Sequence, residues 1–185
     1  MNFHELINRR QSVRRYTNKP VEKEKLWRCL EAARLAPSAS NSQPWTFLVL
    51  ENESVRTAVA AETYNQVLTF NKFVSKAPIL VVVVMEQPKI ITKIGMAIRK
   101  KKWPWIDIGI AAEHFCLQAA EDGLGTCMLG WYNEKSIKKL LAIPESKTIG
   151  LIISVGYPPD HYRLRDKVRK SLNEVVRYNV YSQKY

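Results

Sequence analysis

The chain has 185 residues, of which 46% are hydrophobic, and a formal net charge of +12 from 29 Lys and Arg against 17 Asp and Glu. This length and composition predict one domain over residues 1–185 with a packed core, and the longest apolar stretch, residues 77–85, falls far short of the roughly 20 residues that cross a bilayer. Glu5 and Arg9 lie where a signal peptide would be apolar, so we expect a soluble, cytoplasmic protein with no membrane partner.

The N-terminal half contains segments of helical periodicity and two short apolar runs. The second run is almost entirely β-branched, which is typical of a strand that is buried on both faces. We predict helices over residues 3–10, 22–36, 54–62 and 65–74, and strands over residues 46–50 and 79–85.

The C-terminal half is organised around one long apolar segment, residues 106–121. Its apolar residues cover much of the helix circumference, which predicts a buried helix with Asp107 in its first turn and Gly123 just beyond its end. From residue 167 onward the tail is too apolar to remain exposed, so it requires a partner surface. We also predict strands over residues 126–130 and 148–155 and a helix over residues 134–141.

The segment over residues 87–104 shows no clean period and has prolines near both borders. We interpret it as a variable cover over a functional site, because long irregular connections usually carry function. The predicted helices and strands do not alternate as they do in a doubly wound fold, which indicates helices around a small sheet.

The positive charge raises the question of nucleic-acid binding. A cationic cluster, residues 99–102, precedes Trp103 and Trp105, as expected of a single-strand binder. The remaining cations are spread among acids and apolar residues, which favours a solvated loop for the cluster. We therefore predict that no nucleic acid is bound, and keep a basic nucleic-acid-binding module as an alternative function.

Several common catalytic sites do not fit this sequence. It has no Gly-x-Ser-x-Gly elbow and no phosphate-binding P-loop, and the Gly123-Leu-Gly125 segment lacks the third glycine of a dinucleotide fingerprint. His4, His114 and His161 have no helix-spaced His or Cys companions, so we predict no metal site. For His114, inside the central helix, we expect a histidine whose hydrogen bonds are satisfied by the core.

The three cysteines are odd in number and lie in apolar surroundings without a Cys-x-x-Cys pair. This pattern argues against a disulfide framework. We therefore predict reduced thiols in the core at Cys29, Cys116 and Cys127.

Two segments carry the functional signal. In residues 36–45, Pro37 and Pro44 bracket small hydroxyl and amide residues, so the chain leaves its helix and offers several hydrogen-bonding groups. In residues 9–16, arginines lie on both sides of Ser12, and arginine is the residue that grips an anion such as phosphate in fixed geometry.

These two segments, in this order, resemble the FMN-dependent nitroreductase family, whose members begin with Arg-x-Ser-x-Arg/Lys and continue with Pro-Ser-x-x-Asn-x-Gln-Pro-Trp. Three further segments have counterparts in the family: Gly-Leu-Gly-Thr-Cys-Met-Leu-Gly at residues 123–130, the apolar run that ends in Val-Gly-Tyr-Pro at residue 158, and Lys-Val-Arg-Lys at residues 167–170. The resemblance spans nearly the whole chain.

The resemblance implies an α+β fold with a central, mainly antiparallel sheet flanked by helices. It implies that the C-terminal segment joins the sheet of the other subunit in an obligate homodimer, with active sites at the interface. FMN is the implied cofactor and NAD(P)H the implied co-substrate, and no side chain is named as catalytic because the flavin carries the redox chemistry.

By the same resemblance, four of these segments and Asn71 contribute to FMN binding, while the run that ends at residue 158 has no assigned contact. Cations of the first and last segments meet the phosphate and the pyrimidine edge, the proline-bracketed loop reaches the flavin of the opposite subunit, and the Cys127–Gly130 segment covers one flavin face and offers a backbone N–H to N5. Ala39 stands where the family often has serine. For Asn71, an exposed asparagine on a helix is the alternative. The implied residues are Arg10, Ser12, Arg14, Pro37, Ser38, Ala39, Asn41, Asn71, Met128, Leu129, Gly130, Lys167 and Arg169.

The resemblance thus implies an oxidoreductase in which hydride passes from NAD(P)H through flavin N5 to a nitroaromatic, a quinone or a similar small acceptor by a ping-pong mechanism. Similar scaffolds serve reductive dehalogenation and flavin destruction, and these reactions remain alternatives. The physiological acceptor and the choice between NADH and NADPH stay open.

Overall fold

The computed structural model describes residues 1–87 and 102–182. The predicted cover, residues 87–104, and the cationic cluster, residues 99–102, lie almost entirely outside the described residues. The helices are α1 (Phe3–Arg9), α2 (Lys23–Arg34), α3 (Glu53–Ala61), α4 (Trp103–Glu121), α5 (Glu134–Leu140) and α6 (Leu172–Val175), and the strands are β1 (Trp45–Leu50), β2 (Ile79–Met85), β3 (Gly125–Leu129) and β4 (Thr148–Gly156).

The four strands form one antiparallel sheet in the order β1-β2-β4-β3. In the register of the central pair, Val82 lies between Leu48 of β1 and Ile152 of β4. Every residue of β2 except Met85 is buried, as its continuous β-branched run predicts. The sheet with its flanking helices confirms the predicted α+β fold class.

Alternation along β2 divides the core into two layers, one on each face of the sheet. Val81 and Val83 pack under α2 and α4, around Phe115 of the long helix. Val82, on the opposite face, packs in a second cluster with Ile137 of α5. Successive side chains of a strand point to opposite faces, so in a strand that is covered on both sides nearly every position is apolar.

Helix α4 begins earlier than the apolar pattern predicts. It starts at Trp103, with Pro104 in its first turn. Backbone N–H groups in the first turn have no acceptor within the helix, so proline is tolerated there. The prediction that Asp107 lies in the first turn is therefore wrong, since Asp107 follows one turn later and is buried. Gly123 follows the end of the helix as predicted, with a left-handed φ of 78° that favours glycine.

The predicted helix over residues 65–74 is wrong. The side-chain oxygen of Asn65 accepts hydrogen bonds from the backbone N–H groups of Val67 (2.9 Å) and Leu68 (2.6 Å), and this local turn competes with a helix. A short 3₁₀ helix over Lys72–Lys76 is the only helical turn in the predicted span.

The prediction of reduced cysteines in the core is confirmed. Cys29, Cys116 and Cys127 are free and buried, and Nδ1 of the part-buried His114 hydrogen-bonds the carbonyl of Ala32 at 3.2 Å. Within residues 1–87 and 102–182, no helix is long and apolar enough to cross a membrane.

Candidate active site

The arginine segment leaves α1 and runs beside the edge strand β3. Ser12 bridges to Thr126 in a parallel sense, and the N–H of Val13 donates to the Thr126 carbonyl at 2.8 Å. The contact is so close that a Cβ atom on Gly125 would lie 2.7 Å from the Val13 side chain, so glycine is required there. This glycine lets the segment attach to the sheet.

A buried hydroxyl pair connects the arginine segment to the sheet interior. The Tyr16 hydroxyl donates to the Val13 carbonyl at 2.9 Å and lies 2.7 Å from the hydroxyl of Ser154 on β4. The Ser154 hydroxyl is also 3.3 Å from the carbonyl of Cys127 on β3. Burial raises the pKa of Tyr16 far above its ordinary value, so the phenol stays neutral. Its hydrogen bonds hold the arginine segment against β4.

The segment after β4 returns to the arginine segment and closes a cavity of about 180 Å³ against it. The Arg165 guanidinium donates to Gln11 Oε1 (3.2 Å) and to the Ser12 carbonyl, and the Lys167 ammonium donates to the Arg10 carbonyl. We call this space the anion cavity. It is lined by Arg10, Gln11, Ser12, Arg14, Arg165, Asp166, Lys167 and Arg169, which are five cations and one acid among eight residues.

The anion cavity carries uncompensated positive charge. Burial first, and then the charges of Arg169 and Arg10, lower the pKa of Lys167 below its ordinary value. Arg10 is itself paired with Glu113 of α4 at 2.7 Å. Buried donors remain at Arg10 Nε and Gln11 Nε2, for which the described residues supply no acceptor. Unpartnered buried donors beside crowded cations fit an oxygen-rich anion.

A second cavity, of about 420 Å³, shares Arg14 with the first. We call it the ring cavity, and it lies beside the end of β3. Asn71 is only 6% exposed and donates from Nδ2 to the Trp131 carbonyl at 3.3 Å, which rules out an exposed helical asparagine. The lining residues are Arg14, Phe70, Asn71, Cys127, Met128, Leu129, Gly130 and Trp131.

The walls of the ring cavity combine apolar side chains with polar groups. The rings of Phe70 and Trp131 meet edge to face, 6.0 Å apart. The Leu129 side chain is buried in the core under α5, so it offers the cavity only backbone atoms. Burial raises the pKa of the Cys127 thiol, which keeps it protonated and unreactive.

The proline-bracketed loop lies elsewhere. Among the described residues, none from Pro37 to Gln43 lines the anion cavity or the ring cavity. Its backbone is strained, because Ser40, Asn41 and Gln43 have left-handed φ angles of 52°, 50° and 47° without being glycine. The structure therefore places the arginine segment, Asn71, residues 128–130 and the cations Lys167 and Arg169 around two neighbouring cavities. It leaves the predicted loop residues Pro37, Ser38, Ala39 and Asn41 apart from them.

Several residues of the two cavities were absent from the sequence prediction. Arg165 clamps the arginine segment, and it belongs to an alternating series in which residues 163, 165, 167 and 169 are all cationic. Alternation in an extended segment places such side chains on one side, and that signal was available in the sequence. Phe70 and Trp131 are neighbours of predicted residues, but no pattern marks them.

Comparisons with known proteins identify the family of this chain. A family model described as "Nitroreductase family" matches residues 7–157. The chain belongs to the nitroreductase family. It is 32% identical over 163 residues to a "Putative NADH dehydrogenase/NAD(P)H nitroreductase" of Archaeoglobus fulgidus, a match that covers 84% of each chain.

Two other matches extend the comparison. An iodotyrosine deiodinase of Thermotoga neapolitana is 27% identical over 200 residues, covering 97% of this chain and 98% of the relative. The solved structure of an FMN-dependent nitroreductase from Clostridium difficile superposes with a TM-score of 0.77 at 26% identity, covering 95% of this chain and 98% of the other. The family predicted from the sequence motifs is thereby confirmed.

Proposed function

We propose that this nitroreductase-family protein is an FMN-dependent oxidoreductase that takes hydride from NAD(P)H and passes it to a nitroaromatic, a quinone or a similar small acceptor in a ping-pong reaction. The observation that carries the proposal is a pair of cavities that share Arg14 in their walls. One cavity is small and cationic, and the other is larger and combines aromatic and aliphatic side chains with polar groups. FMN combines a terminal phosphate with a planar ring, which matches this division.

The anion cavity would hold the phosphate. Arg14, Lys167 and Arg169 supply charge, while Arg10 Nε and Gln11 Nε2 are buried donors that need an acceptor. Arg10 also retains its ion pair with Glu113, so only part of its guanidinium is committed within the chain. Charge-assisted bonds to phosphate contribute roughly 1.5–3 kcal/mol each, so this cavity is expected to account for most of the affinity.

The ring cavity would hold the flavin ring system. Asn71 and the Met128–Gly130 backbone lie together at the end of β3, where strand pairing no longer uses all the backbone groups. FMN bound there would supply the two-electron hydride-transfer chemistry between NAD(P)H and the acceptor. Preorganised backbone donors favour the negative charge that develops during such a transfer.

We assign no side chain as an obligatory proton donor. Within residues 1–87 and 102–182, the titratable groups that line the ring cavity are Arg14 and Cys127. Arginine keeps its proton at all ordinary pH values, and burial raises the pKa of Cys127 in a site without a base to activate it. Solvent is therefore the proton source in this proposal.

A second subunit completes the proposal. Pro37, Ser38, Ala39 and Asn41 line neither cavity of their own chain, and we propose that they contact the flavin of the other subunit in a homodimer. The apolar tail supports this arrangement, since Leu172, Val175 and Tyr181 are 66%, 60% and 90% exposed in the single chain. In the homodimer the tail would join the other subunit's sheet.

The proposal is tested with the purified full-length protein. We expect a yellow protein whose visible spectrum shows bound flavin, whose denaturation releases FMN, and whose flavin is bleached by NADH or NADPH and reoxidised by a nitroaromatic or a quinone. A colourless protein that no flavin stabilises against heat would contradict the proposal, as would tight binding of FAD instead of FMN.

Reductive dehalogenation is a second candidate, supported by the similarity to the deiodinase of Thermotoga neapolitana over 97% of this chain. The aromatic contact of Phe70 with Trp131 beside the ring cavity suits an aromatic substrate in either reaction. Iodide release from iodotyrosine by the reduced protein would favour dehalogenation, whereas reoxidation by nitroaromatics without iodide release would favour the first candidate.

A further inference from the structure

Asp107 is a buried acid that neither cavity uses. It lies in α4, one turn inside the helix, and only 3% of its surface is exposed. Its Oδ1 accepts a hydrogen bond of 3.1 Å from the backbone N–H of Ala39. Its Oδ2 is buried, and no donor among the described residues reaches it. Burying a carboxylate with one oxygen unpartnered is costly, so packing alone does not account for an acid here.

The loop that Asp107 contacts is the most strained segment of the described chain. Three of its residues, Ser40, Asn41 and Gln43, have left-handed φ angles, and none of them is glycine. Such conformations persist only where surrounding contacts impose them, and they concentrate at binding sites. The loop therefore needs an anchor outside itself.

Two side-chain hydrogen bonds close the loop on itself. Ser38 Oγ accepts from the Gln43 N–H at 2.9 Å, and Gln43 Nε2 donates to Asn41 Oδ1 at 2.8 Å. Both bonds join loop residues to each other. The Asp107 bond differs because it ties the loop to the rigid central helix, close to the first left-handed residue.

We infer that Asp107 is a positioning residue that sets the conformation in which the loop over residues 37–43 meets the flavin. The inference rests on the proposed function, in which Ala39 and Asn41 contact the flavin of the other subunit. Burial of the carboxylate destabilises the folded protein, whereas its hydrogen bond to Ala39 orders the loop.

If Asp107 positions the loop, its replacement should affect protein stability and flavin binding differently. In Asp107→Ala the carboxylate burial is removed together with the Ala39 bond, so the melting temperature of the flavin-free protein should be unchanged or higher. The loop should nevertheless lose its fixed conformation, and binding of FMN and of riboflavin should each weaken at least tenfold, because the loop contacts the ring portion that both ligands share. Asp107→Asn keeps an acceptor oxygen for the Ala39 N–H and should bind both flavins within threefold of the wild type.

The experiment uses the full-length protein and three variants: D107A, D107N and D122N. Asp122 lies just past the other end of α4, where it pairs with Arg28 at 2.9 Å, so D122N controls for loss of a carboxylate on the same helix. Amide hydrogen exchange of the flavin-free loop is measured beside flavin dissociation constants and melting temperatures. Exchange over residues 37–43 should accelerate at least tenfold in D107A alone.

Wild-type loop exchange and wild-type flavin binding in D107A would overturn the inference. So would a D107A protein that loses stability and binding together without rescue in D107N, because that pattern marks a merely structural residue. Failure of the proposed function is distinct, since the wild-type protein itself would then bind neither FMN nor riboflavin.

Discussion

The anion cavity and the proline-bracketed loop represent two ways in which this chain builds binding groups. The anion cavity is closed within one chain, where Arg165 and Lys167 of the returning segment donate to carbonyls of the arginine segment. The loop is equally ordered, but its groups line no cavity of their own chain within the described residues. The anion cavity is thus complete within one chain, whereas in the proposed homodimer the loop would contact a ligand that is bound to the other subunit.

The largest expected effect concerns the proposed homodimer. Deleting the chain from Leu172 onward removes α6 and the exposed apolar tail, and we expect complete loss of both the dimer and FMN binding. Leu172, Val175 and Tyr181 are largely exposed in the single chain, so we expect association to cover their apolar area. Sedimentation and flavin absorbance measured together check this expectation. A stable truncated monomer that still holds FMN would show that the anion cavity and ring cavity suffice.

The next effect concerns the anion cavity. Replacing both Lys167 and Arg169 with alanine removes two charge-assisted contacts of roughly 1.5–3 kcal/mol each, so FMN affinity should fall at least about a hundredfold. Riboflavin, which lacks the phosphate, should bind within about threefold of wild type by the same reasoning. Isothermal titration measures both.

A matched control for this double variant is available on α5. Lys135 and Lys139 are exposed, and replacing both with alanine changes the net charge equally. If that control weakens FMN binding as much as the double variant does, the effect comes from overall charge and not from the anion cavity.

The lowered pKa of Lys167 predicts a pH dependence of about tenfold per pH unit at most, the limit for one proton. A bound phosphate would restore the pKa toward the ordinary lysine value, so binding takes up a proton above the lowered pKa. FMN affinity should therefore fall as pH rises through the interval between the two values. Stability of the flavin-free protein should rise over the same interval, because the unfolded chain there binds more protons than the folded chain.

Titrations with FMN and riboflavin between neutral pH and the ordinary lysine pKa check this prediction. Riboflavin serves as the reference, since ionisation of the ring affects both ligands alike. Lys167→Arg should abolish the dependence that is specific to FMN, because arginine stays charged. An unchanged pH profile in that variant would assign the proton to another group.

The smallest effect concerns the hydroxyl pair that connects the arginine segment to the sheet. Tyr16→Phe removes the bond to the Val13 carbonyl and leaves the buried Ser154 hydroxyl with one contact fewer. We expect a loss of about 1–3 kcal/mol in unfolding free energy and a smaller loss of FMN affinity than in the anion-cavity variant. Urea denaturation measures the first quantity. Ser54→Ala, which removes an exposed hydroxyl from α3, is the control and should change both quantities much less.

Local sequence patterns were sufficient to predict an element or a family where a single property, such as hydrophobicity or anion binding, determines the residue types. The β-branched run of β2 predicts a strand that is buried on both faces. The structure shows this strand between β1 and β4. The arginines around Ser12 and the prolines around residues 38–43 are motifs whose residue types are chosen for a ligand, so they indicated the family before any tertiary contact was known. The family and the fold class are confirmed, while the individual FMN contacts stay predictions.

Tertiary structure decided the rest, because the deciding contacts join residues that are distant in sequence. No periodicity marks Asp107 as the anchor of Ala39, 68 residues away, or Arg165 as the clamp on Ser12, 153 residues away. Asn65 overrode the helical pattern of residues 65–74 through two hydrogen bonds of its own side chain. Sequence patterns report which residues are apolar or charged, whereas the pairing of buried polar groups depends on which segments the fold brings together.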